Sequence, residues 1–324
     1  MSVLTIGVDV GGTNLRAAVV DEHGQVLDYL QSPTPSSAHG LELGVDRTVK
    51  ELAARNDIAA VGLAVAGFVS RDRTTIQFAP HLPWRNAPIG AELSTRLGLP
   101  VLLEHDANAA AWGEHRFGAA SGDENTVLVA IGTGIGVGLL IDGQLYRGTH
   151  GVAPELGHLQ VGPQGRPCAC GKHGCWERYC SGTALVHTAI ELLATNPAHS
   201  TILARQAAAE PGSLTGRRVT AAAQDGDPLG LEVMADFARW LGLGLAIVSD
   251  VFDPALIVIA GGVASAANLF LDEARENYAR SATGAAYRPL ARVRATQLGT
   301  DASIIGAAEL ARDAWTREQV HGQT

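Results

Sequence analysis

Residues 154–181 read PELGHLQVGPQGRPCACGKHGCWERYCS, and all four cysteines of the 324-residue chain stand in this stretch, at 168, 170, 175 and 180. In a chain that opens without a secretory signal, two disulfides explain such clustering poorly and a metal explains it better. Cys168-x-Cys170-x4-Cys175 offers three thiolates on one tight loop, which Gly171 and Gly174 allow to turn sharply. Zinc takes four soft or borderline ligands in a tetrahedron, so one is missing. His158, ten residues upstream of Cys168, can supply it and close a structural site of three cysteines and one histidine. His173 and Cys180 compete for that place. His173 sits inside the knuckle and gives a cramped chelate, whereas Cys180, after the aromatic Tyr179, also reads as a buried core thiol. The alternative to a metal is four buried thiols, against which stands the rarity of core cysteines clustered beside glycines.

The stretch carries carboxylates at both ends. Glu155 lies three residues before His158, and Glu177 two after Cys175. A zinc joining His158 to the cysteine loop brings both near one place, so the metal acts as a clamp that shapes a polar pocket.

The spacing resembles the signature of the ROK family of sugar kinases and repressors, E-x-G-H followed by C-x-C-G-x-x-G-C-x-E. Glu155, Gly157, His158, Cys168, Cys170, Gly171, Gly174, Cys175 and Glu177 all match it. The resemblance implies that His158, Cys168, Cys170 and Cys175 hold structural zinc and that Glu155, His158 and Glu177 face a sugar.

Upstream, Thr126 to Ile131 reads as a strand, Gly132-Thr133-Gly134-Ile135-Gly136 as a glycine loop and Val137 to Ile141 as a second strand. Asp142-Gly143 is a hairpin turn and Gln144 to Tyr146 a third strand. The same succession opens the chain: the β-branched run Val3 to Val10, the turn Asp9-Val10-Gly11-Gly12-Thr13-Asn14, then strands from Leu15 to Val20 and Val26 to Leu30. This is an internal duplication at domain scale. A glycine pair between strands lets backbone amides approach an anion, Thr13 can donate a hydroxyl, and Asp9 at a strand end can hold magnesium through water. An ordinary hairpin turn is the alternative for the first motif alone. The two glycine turns resemble the paired phosphate motifs of the actin, sugar-kinase and heat-shock chaperone superfamily.

Between the repeats, Leu41 to Arg55 has helical spacing and Ala59 to Val65 is a strand ending in Ala66-Gly67. The strand Pro100 to Leu103 ends in Glu104-His105-Asp106-Ala107-Asn108 and precedes a helix from Ala109 to Phe117. Asp106 therefore stands at a strand's carboxyl end, where ligands bind in open α/β sheets, but also where an aspartate caps a helix. The resemblance implies a choice: the family's general base is the aspartate of a matching E-N-D-A-N segment. Here His105 replaces the asparagine before it, and His81, after Pro80, stands where the family often has another asparagine. Imidazole and carboxamide both donate and accept, but they differ in reach and titration.

Downstream, helices are expected over Gly182 to Ala194, within Leu203 to Gln224, and over Leu229 to Val251, the last broken or bent near Gly242 and Gly244. The strand Ala255 to Ile259 closes in Ala260-Gly261-Gly262-Val263, similar to the superfamily's adenosine motif except that Val263 stands where a third glycine is common. A last strand spans Ala291 to Thr296 and a last helix Ser303 to Trp315.

Composition bounds the answer. Hydrophobic residues make up 46%, enough for a full core, and the net charge of −9 argues against nonspecific nucleic-acid binding. The opening MSVLTIGVDVGG has no basic n-region and breaks at once into glycines, unlike a signal peptide. No apolar run reaches the ~18 residues of a membrane span. A cytoplasmic protein is expected. The family's repressors carry a helix-turn-helix domain ahead of the first phosphate motif, and Asp9 leaves no room for one.

The resemblance implies an α/β fold of two RNase H-like domains with the active site in the cleft. Residues 1–108 with about 303–318 are expected to form the small domain, 109–302 the large one with the zinc loop, and 319–324 a disordered tail. The implied activity is ATP- and magnesium-dependent phosphorylation of glucose at its 6-hydroxyl, with Asp106 as base. Gly67, His81, His105, Asp106, Glu155, His158 and Glu177 would contact the sugar. Asp9, Gly11, Gly12, Thr13, Asn14, Gly132, Thr133 and Gly134 would serve the phosphates, and Gly261 and Gly262 the nucleoside. A homodimer or homotetramer is implied. Another hexose or an N-acetylhexosamine, a polyphosphate donor, and a non-catalytic sugar sensor are the alternatives.

Overall fold

Runs of buried aliphatic side chains build the first sheet. Leu4–Val10 (β1), Asn14–Val20 (β2) and Val26–Pro33 (β3) form an antiparallel meander, with Thr5 opposite Val20 and Ala17 opposite Leu30. The amphipathic helix Ala38–Ala53 (α1), capped by the Ser37 hydroxyl on the Gly40 N–H, crosses to Ile58–Val65 (β4), which pairs parallel with β1. Phe68–Val69 (β5), Ile76–Phe78 (β6) and Arg85–Ala87 (β7) form a small separate sheet, and Ile89–Leu97 (α2) returns to Val101–His105 (β8), parallel to β4. The resulting order is β3-β2-β1-β4-β8. The structure is a computed structural model, and it describes residues 3–195, 201–210 and 212–321.

Asp106–Phe117 (α3) leads to the second copy. Thr126–Ile131 (β9), Ile135–Ile141 (β10) and Gln144–Leu145 (β11) repeat the opening meander, and after the cysteine loop come Gly182–Thr195 (α4), Ile202–Ala209 (α5), Gly216–Gln224 (α6) and Pro228–Phe252 (α7). Leu256–Ala260 (β12), Leu271–Ser281 (α8), Arg292–Ala295 (β13) and Ala302–His321 (α9) complete the chain. The second sheet runs β11-β10-β9-β12-β13, the same order by position as the first. The duplication expected from the glycine turns is thus a duplication of topology, and the two five-stranded sheets of like order are those of the expected pair of RNase H-like units.

The first sheet buries both faces. Ile6, Val8, Leu63 and Leu103 pack with Leu41, Val45, Val49 and Leu93 of α1 and α2 on one side, and Ala18 and Val20 with Ile304, Ile305 and Ala308 of α9 on the other. The second contact is backbone-close. A Cβ on Gly7 would lie 1.9 Å from the Ile304 carbonyl oxygen, and one on Gly62 1.9 Å from that of Ala307. Glycine is what lets α9 lie flat against the strands. Buried Glu114 then ties α3 to the entry of α9, its carboxylate accepting from the N–H groups of Gln297 and Leu298 and from the Thr296 hydroxyl.

Three expectations are corrected. The chain divides into compact units of 1–128 with 138–154 and 296–324, and of 129–137 with 155–295, so α3 belongs with the first sheet and the expected boundary at residue 108 falls too early. Packing explains it, because a Cβ on Gly113 of α3 would touch the Ala302 carbonyl of α9 at 2.5 Å. The α9 helix runs to His321, so 319–321 are helical rather than a tail, while 322–324 lie outside the described residues. Finally, α7 runs as one helix through Gly242 and Gly244. These glycines are small because neighbours press on them: a Cβ on Gly244 would lie 1.9 Å from the Trp176 ring, and one on Gly242 2.4 Å from the Asn277 Cβ.

Candidate active site

In the first unit, the ends of β1, β4 and β8 deliver the polar groups. The Gly11–Asn14 turn closes through the Gly11 N–H on the Asn14 carbonyl at 3.0 Å, and Thr34 braces it, its hydroxyl donating to the Gly11 carbonyl at 2.7 Å. Gly12, Thr13 and Asn14 are exposed, as a turn that meets an external anion must be. His81 comes to this turn: a Cβ on Gly12 would stand 3.6 Å from that of His81. The Asn14 amide oxygen accepts from Gln31 at 3.2 Å, which orients it along the meander.

Asp9 is half-buried near the end of β1, where its Oδ2 accepts from Arg16 Nε at 3.1 Å. Its carboxyl is raised above the ordinary value. Burial is the main cause, the Arg16 guanidinium opposes it, and the negative charge of Asp106 adds to the rise. The two carboxylates therefore share one electrostatic environment, at the carboxyl ends of β1 and β8.

Asp106 is the first residue of α3, and His105 occupies the capping position without a side-chain cap bond. The Asp106 Oδ1 accepts from the Ala107 N–H at 2.7 Å and lies 3.3 Å from His105 Nε2. Both contacts fall on one oxygen, and the side chain is 37% exposed, so Oδ2 can take a proton from a bound hydroxyl. The N-cap position itself belongs to His105, and Asp106 meets the helix only through the Ala107 N–H. Gly67 has a packing role: a Cβ there would meet the Phe78 carbonyl at 2.6 Å.

Sequence reasoning missed Glu104. It is 2% exposed, and Arg147 reaches its Oε2 through Nε at 2.8 Å and Nη2 at 2.6 Å. Arg73 Nη1 stands 3.5 Å from the same oxygen. Burial alone would raise the Glu104 carboxyl, but the two guanidinium groups and the Asn108 amide outweigh it and hold it below the ordinary value. An acidic residue within the strand Val101–His105 was the available signal, since a buried carboxylate must be paired. Its partners lie on distant loops, which spacing does not reveal.

In the second unit, the four expected donors converge: His158, Cys168, Cys170 and Cys175 place one ligand atom each within 4.8 Å of one another. Cys170 Sγ lies 3.6 Å from Cys175 Sγ, and Cys168 Sγ 3.7 Å from His158 Nδ1. Bonds of ~2.3 Å to sulfur and ~2.0 Å to nitrogen in a tetrahedron give edges of ~3.5–3.8 Å, so the donors fit zinc. His173 is outside the cluster, in a bridge with Pro167, and Cys180 is a fully buried core thiol pushed well up by desolvation. Burial also pushes Cys168 up to about 12, with its bond to Glu177 at 3.2 Å adding to the shift.

The His158 ring links the cluster to both glutamates. Nδ1, on the cysteine side, is 3.7 Å from Glu177 Oε1, and Nε2 is 3.8 Å from Glu155 Oε2. One nitrogen can serve a metal while the other faces Glu155. The glycine loop is held by its carbonyls: Gly132 accepts from the Gly182 N–H at 2.8 Å, and Thr133 from the Thr183 hydroxyl at 2.8 Å. A Cβ on Gly134 would meet Glu177 Oε2 at 2.5 Å, so this loop and the glutamate are adjacent. Gly261 has φ 84°, a left-handed value that favours glycine, and brings the chain within 2.5 Å of the Ile131 carbonyl, measured from a would-be Cβ; Gly262 faces open space.

Comparison with known proteins agrees. Residues 5–314 match the ROK family. The chain is 41% identical over 310 residues to a glucokinase of Streptomyces coelicolor, covering 96% of this chain and 98% of that one. Among solved structures it is similar to a ROK family glucokinase from Streptomyces griseus in complex with glucose and AMPPNP, with TM-score 0.87, 42% identity, and coverage of 96% and 99%. It is also similar to a ROK hexokinase from Thermus thermophilus, with TM-score 0.80, 32% identity, and coverage of 98% and 100%. With its duplicated sheets and its cysteine–histidine cluster between paired glutamates, this chain belongs to the ROK family.

Proposed function

We propose that this protein is a glucokinase that transfers the γ-phosphoryl group of ATP to the 6-hydroxyl of glucose. The observation that carries the reading is the state of Asp106: one carboxylate oxygen is fixed by the Ala107 N–H and His105, and the other is available to a substrate. Phosphoryl transfer needs positioning and charge stabilisation more than covalent chemistry. Asp106 accepts the proton of the attacking hydroxyl as the oxygen closes on phosphorus. Glu155, His158 and Glu177 orient the remaining sugar hydroxyls, and His81 and His105 take the places of asparagines in related enzymes. The Gly11–Asn14 turn and the Gly132–Gly134 loop hold phosphates with backbone amides, and Gly261 and Gly262 lie under the nucleoside.

Asp9 suits magnesium: the bonds from Arg16 fall on Oδ2, leaving Oδ1 for a hydrated cation. When bound, magnesium supplies positive charge at the transferring phosphates. His158, Cys168, Cys170 and Cys175 hold zinc, which when bound locks the loop that carries Glu177. No helix among the described residues is long and apolar enough to cross a membrane, and cysteines kept as thiols and zinc ligands rather than disulfides suit the reducing cytoplasm, where we place the protein, as a homodimer or homotetramer.

The test is a coupled assay of glucose 6-phosphate formation with MgATP. Wild type should turn over, and Asp106→Asn should still bind glucose by calorimetry but lose ~10²–10⁴-fold in turnover. Higher kcat/KM with mannose or N-acetylglucosamine, or with polyphosphate as donor, would move the assignment within the family. No turnover with any pair would leave a sugar sensor.

A further inference from the structure

We infer that Glu104 is the positioning residue for Asp106, held in register by a guanidinium clamp from Arg147 and Arg73. The inference rests on the reading of Asp106 as the base. Its ground is the division of labour between the two oxygens of one buried carboxylate. Oε1 accepts from the His105 N–H at 3.0 Å and from Asn108 Nδ2 at 3.0 Å. These two groups flank Asp106 on either side, so a single oxygen spans the strand-to-helix turn on which the base sits. Oε2 takes both bonds from Arg147 and faces Arg73. Asn108 is itself 2% exposed with its Oδ1 unpartnered, so the Glu104 bond is what orients its amide.

The clamp gathers elements remote in sequence. Arg73 is on the turn between β5 and β6, and its own N–H donates to the Ser70 carbonyl at 2.8 Å; its carbonyl accepts from the Leu103 N–H of β8 at 3.1 Å. Arg147 starts the loop that ends just before Glu155, and that loop closes through the Ala153 N–H on the Arg147 carbonyl at 3.2 Å. The loop also packs on the Arg73 side: a Cβ on Gly151 would meet the Val69 carbonyl at 2.7 Å. A glutamate and two arginines in such a place are poor stabilisers, since well-packed apolar residues of similar volume commonly do as well or better. Their geometric specificity is what an apolar trio lacks: the planar fork of Arg147 admits one orientation of the carboxylate. A base on the first turn of a helix, 37% exposed, needs such a fixture, because displacement by ~1 Å can lose ~10²-fold in rate.

The experiment compares Glu104→Gln, Arg147→Lys and the double variant Glu104→Gln/Arg147→Met with wild type and Asp106→Asn. For each, kcat and KM for glucose and ATP are measured, with glucose affinity by calorimetry and folding by thermal melting. The expected result is a kcat lowered ~10–100-fold in all three clamp variants, with both KM values and the glucose affinity within about threefold of wild type. Arg147→Lys keeps the charge and loses the fork, so it should fall between wild type and Glu104→Gln. If Glu104→Gln does not fold, the double variant, which removes the unpaired Arg147 charge, takes its place. A folded clamp variant with kcat within threefold of wild type would overturn the inference, as would losses confined to KM or to melting temperature. An inactive wild type, or an active Asp106→Asn, would instead overturn the reading of the base on which this rests.

Discussion

The Nε2 atom of His105 lies 3.3 Å from the Oδ1 atom of Asp106. The imidazole thus lies against the oxygen that the helix already holds, and it shapes the approach to the other. His105→Asn should keep turnover within about tenfold of wild type, because both side chains can donate to that oxygen. The shorter carboxamide should change the order of kcat/KM among glucose, mannose and N-acetylglucosamine. An unchanged order would show that His105 does not face the sugar.

Zinc should be present at near one atom per chain in protein purified without chelator. Cys170→Ser removes one of the four donors and should lower zinc content, melting temperature and glucose affinity together, because Glu177 follows Cys175 by two residues. Metal analysis that finds no zinc in the wild type would reject the centre.

Gly244→Ala would drive a methyl group into the Trp176 ring, whose Nε1 already donates to the Trp240 carbonyl at 3.0 Å. The ring is fully buried and cannot swing aside, so the substitution should destabilise by ~1–3 kcal/mol. KM for glucose should rise as well, since Trp176 precedes Glu177. Denaturant unfolding and kinetics check both; a neutral substitution would mean that α7 shifts freely.

Asp227 caps α7 with Oδ1, which accepts from Leu229 and Gly230, and anchors α5 with Oδ2, which accepts from the Leu203 N–H at 2.9 Å. Burial would raise its carboxyl, but these N–H groups and the Thr201 hydroxyl outweigh it and leave the net shift downward. A lowered folded value means stability that is present above the unfolded value of about 3.9 and lost as pH falls through the folded one. Asp227→Asn should therefore be ~1–2 kcal/mol less stable than wild type near neutrality, with the gap unchanged down to about pH 5 and closing as the pH falls below about 4. A gap that stays constant with pH would refute the assignment.

The cysteine centre was legible because its donors lie within eighteen residues, close enough for spacing to state geometry. Asp106 and the two glycine turns were legible as strand-end features, and the repeated order of the sheets follows from the repeated strand–turn–strand pattern. The misreadings share a cause. In α7 the local penalty of glycine, ~1 kcal/mol against alanine, suggested a break, but contact with Trp176 and Asn277 makes glycine the residue that fits. The domain boundary missed α3 because its partner α9 lies nearly two hundred residues away. The role of Glu104 was missed for the same reason: its partners Arg73 and Arg147 reach it only after folding.

The close seating of α9 on Gly7 and Gly62 has a consequence for biosynthesis. Thr5 donates to the Ala308 carbonyl at 3.0 Å, and Arg312 to the Val20 carbonyl at 2.7 Å, so β1 and β2 are completed by a helix synthesised nearly three hundred residues later. At translation rates of ~5–20 residues per second, Ala18 and Val20 wait roughly 10–60 s for their cover. During that interval the nascent sheet presents an apolar, glycine-lined face, a natural substrate for ribosome-bound chaperones.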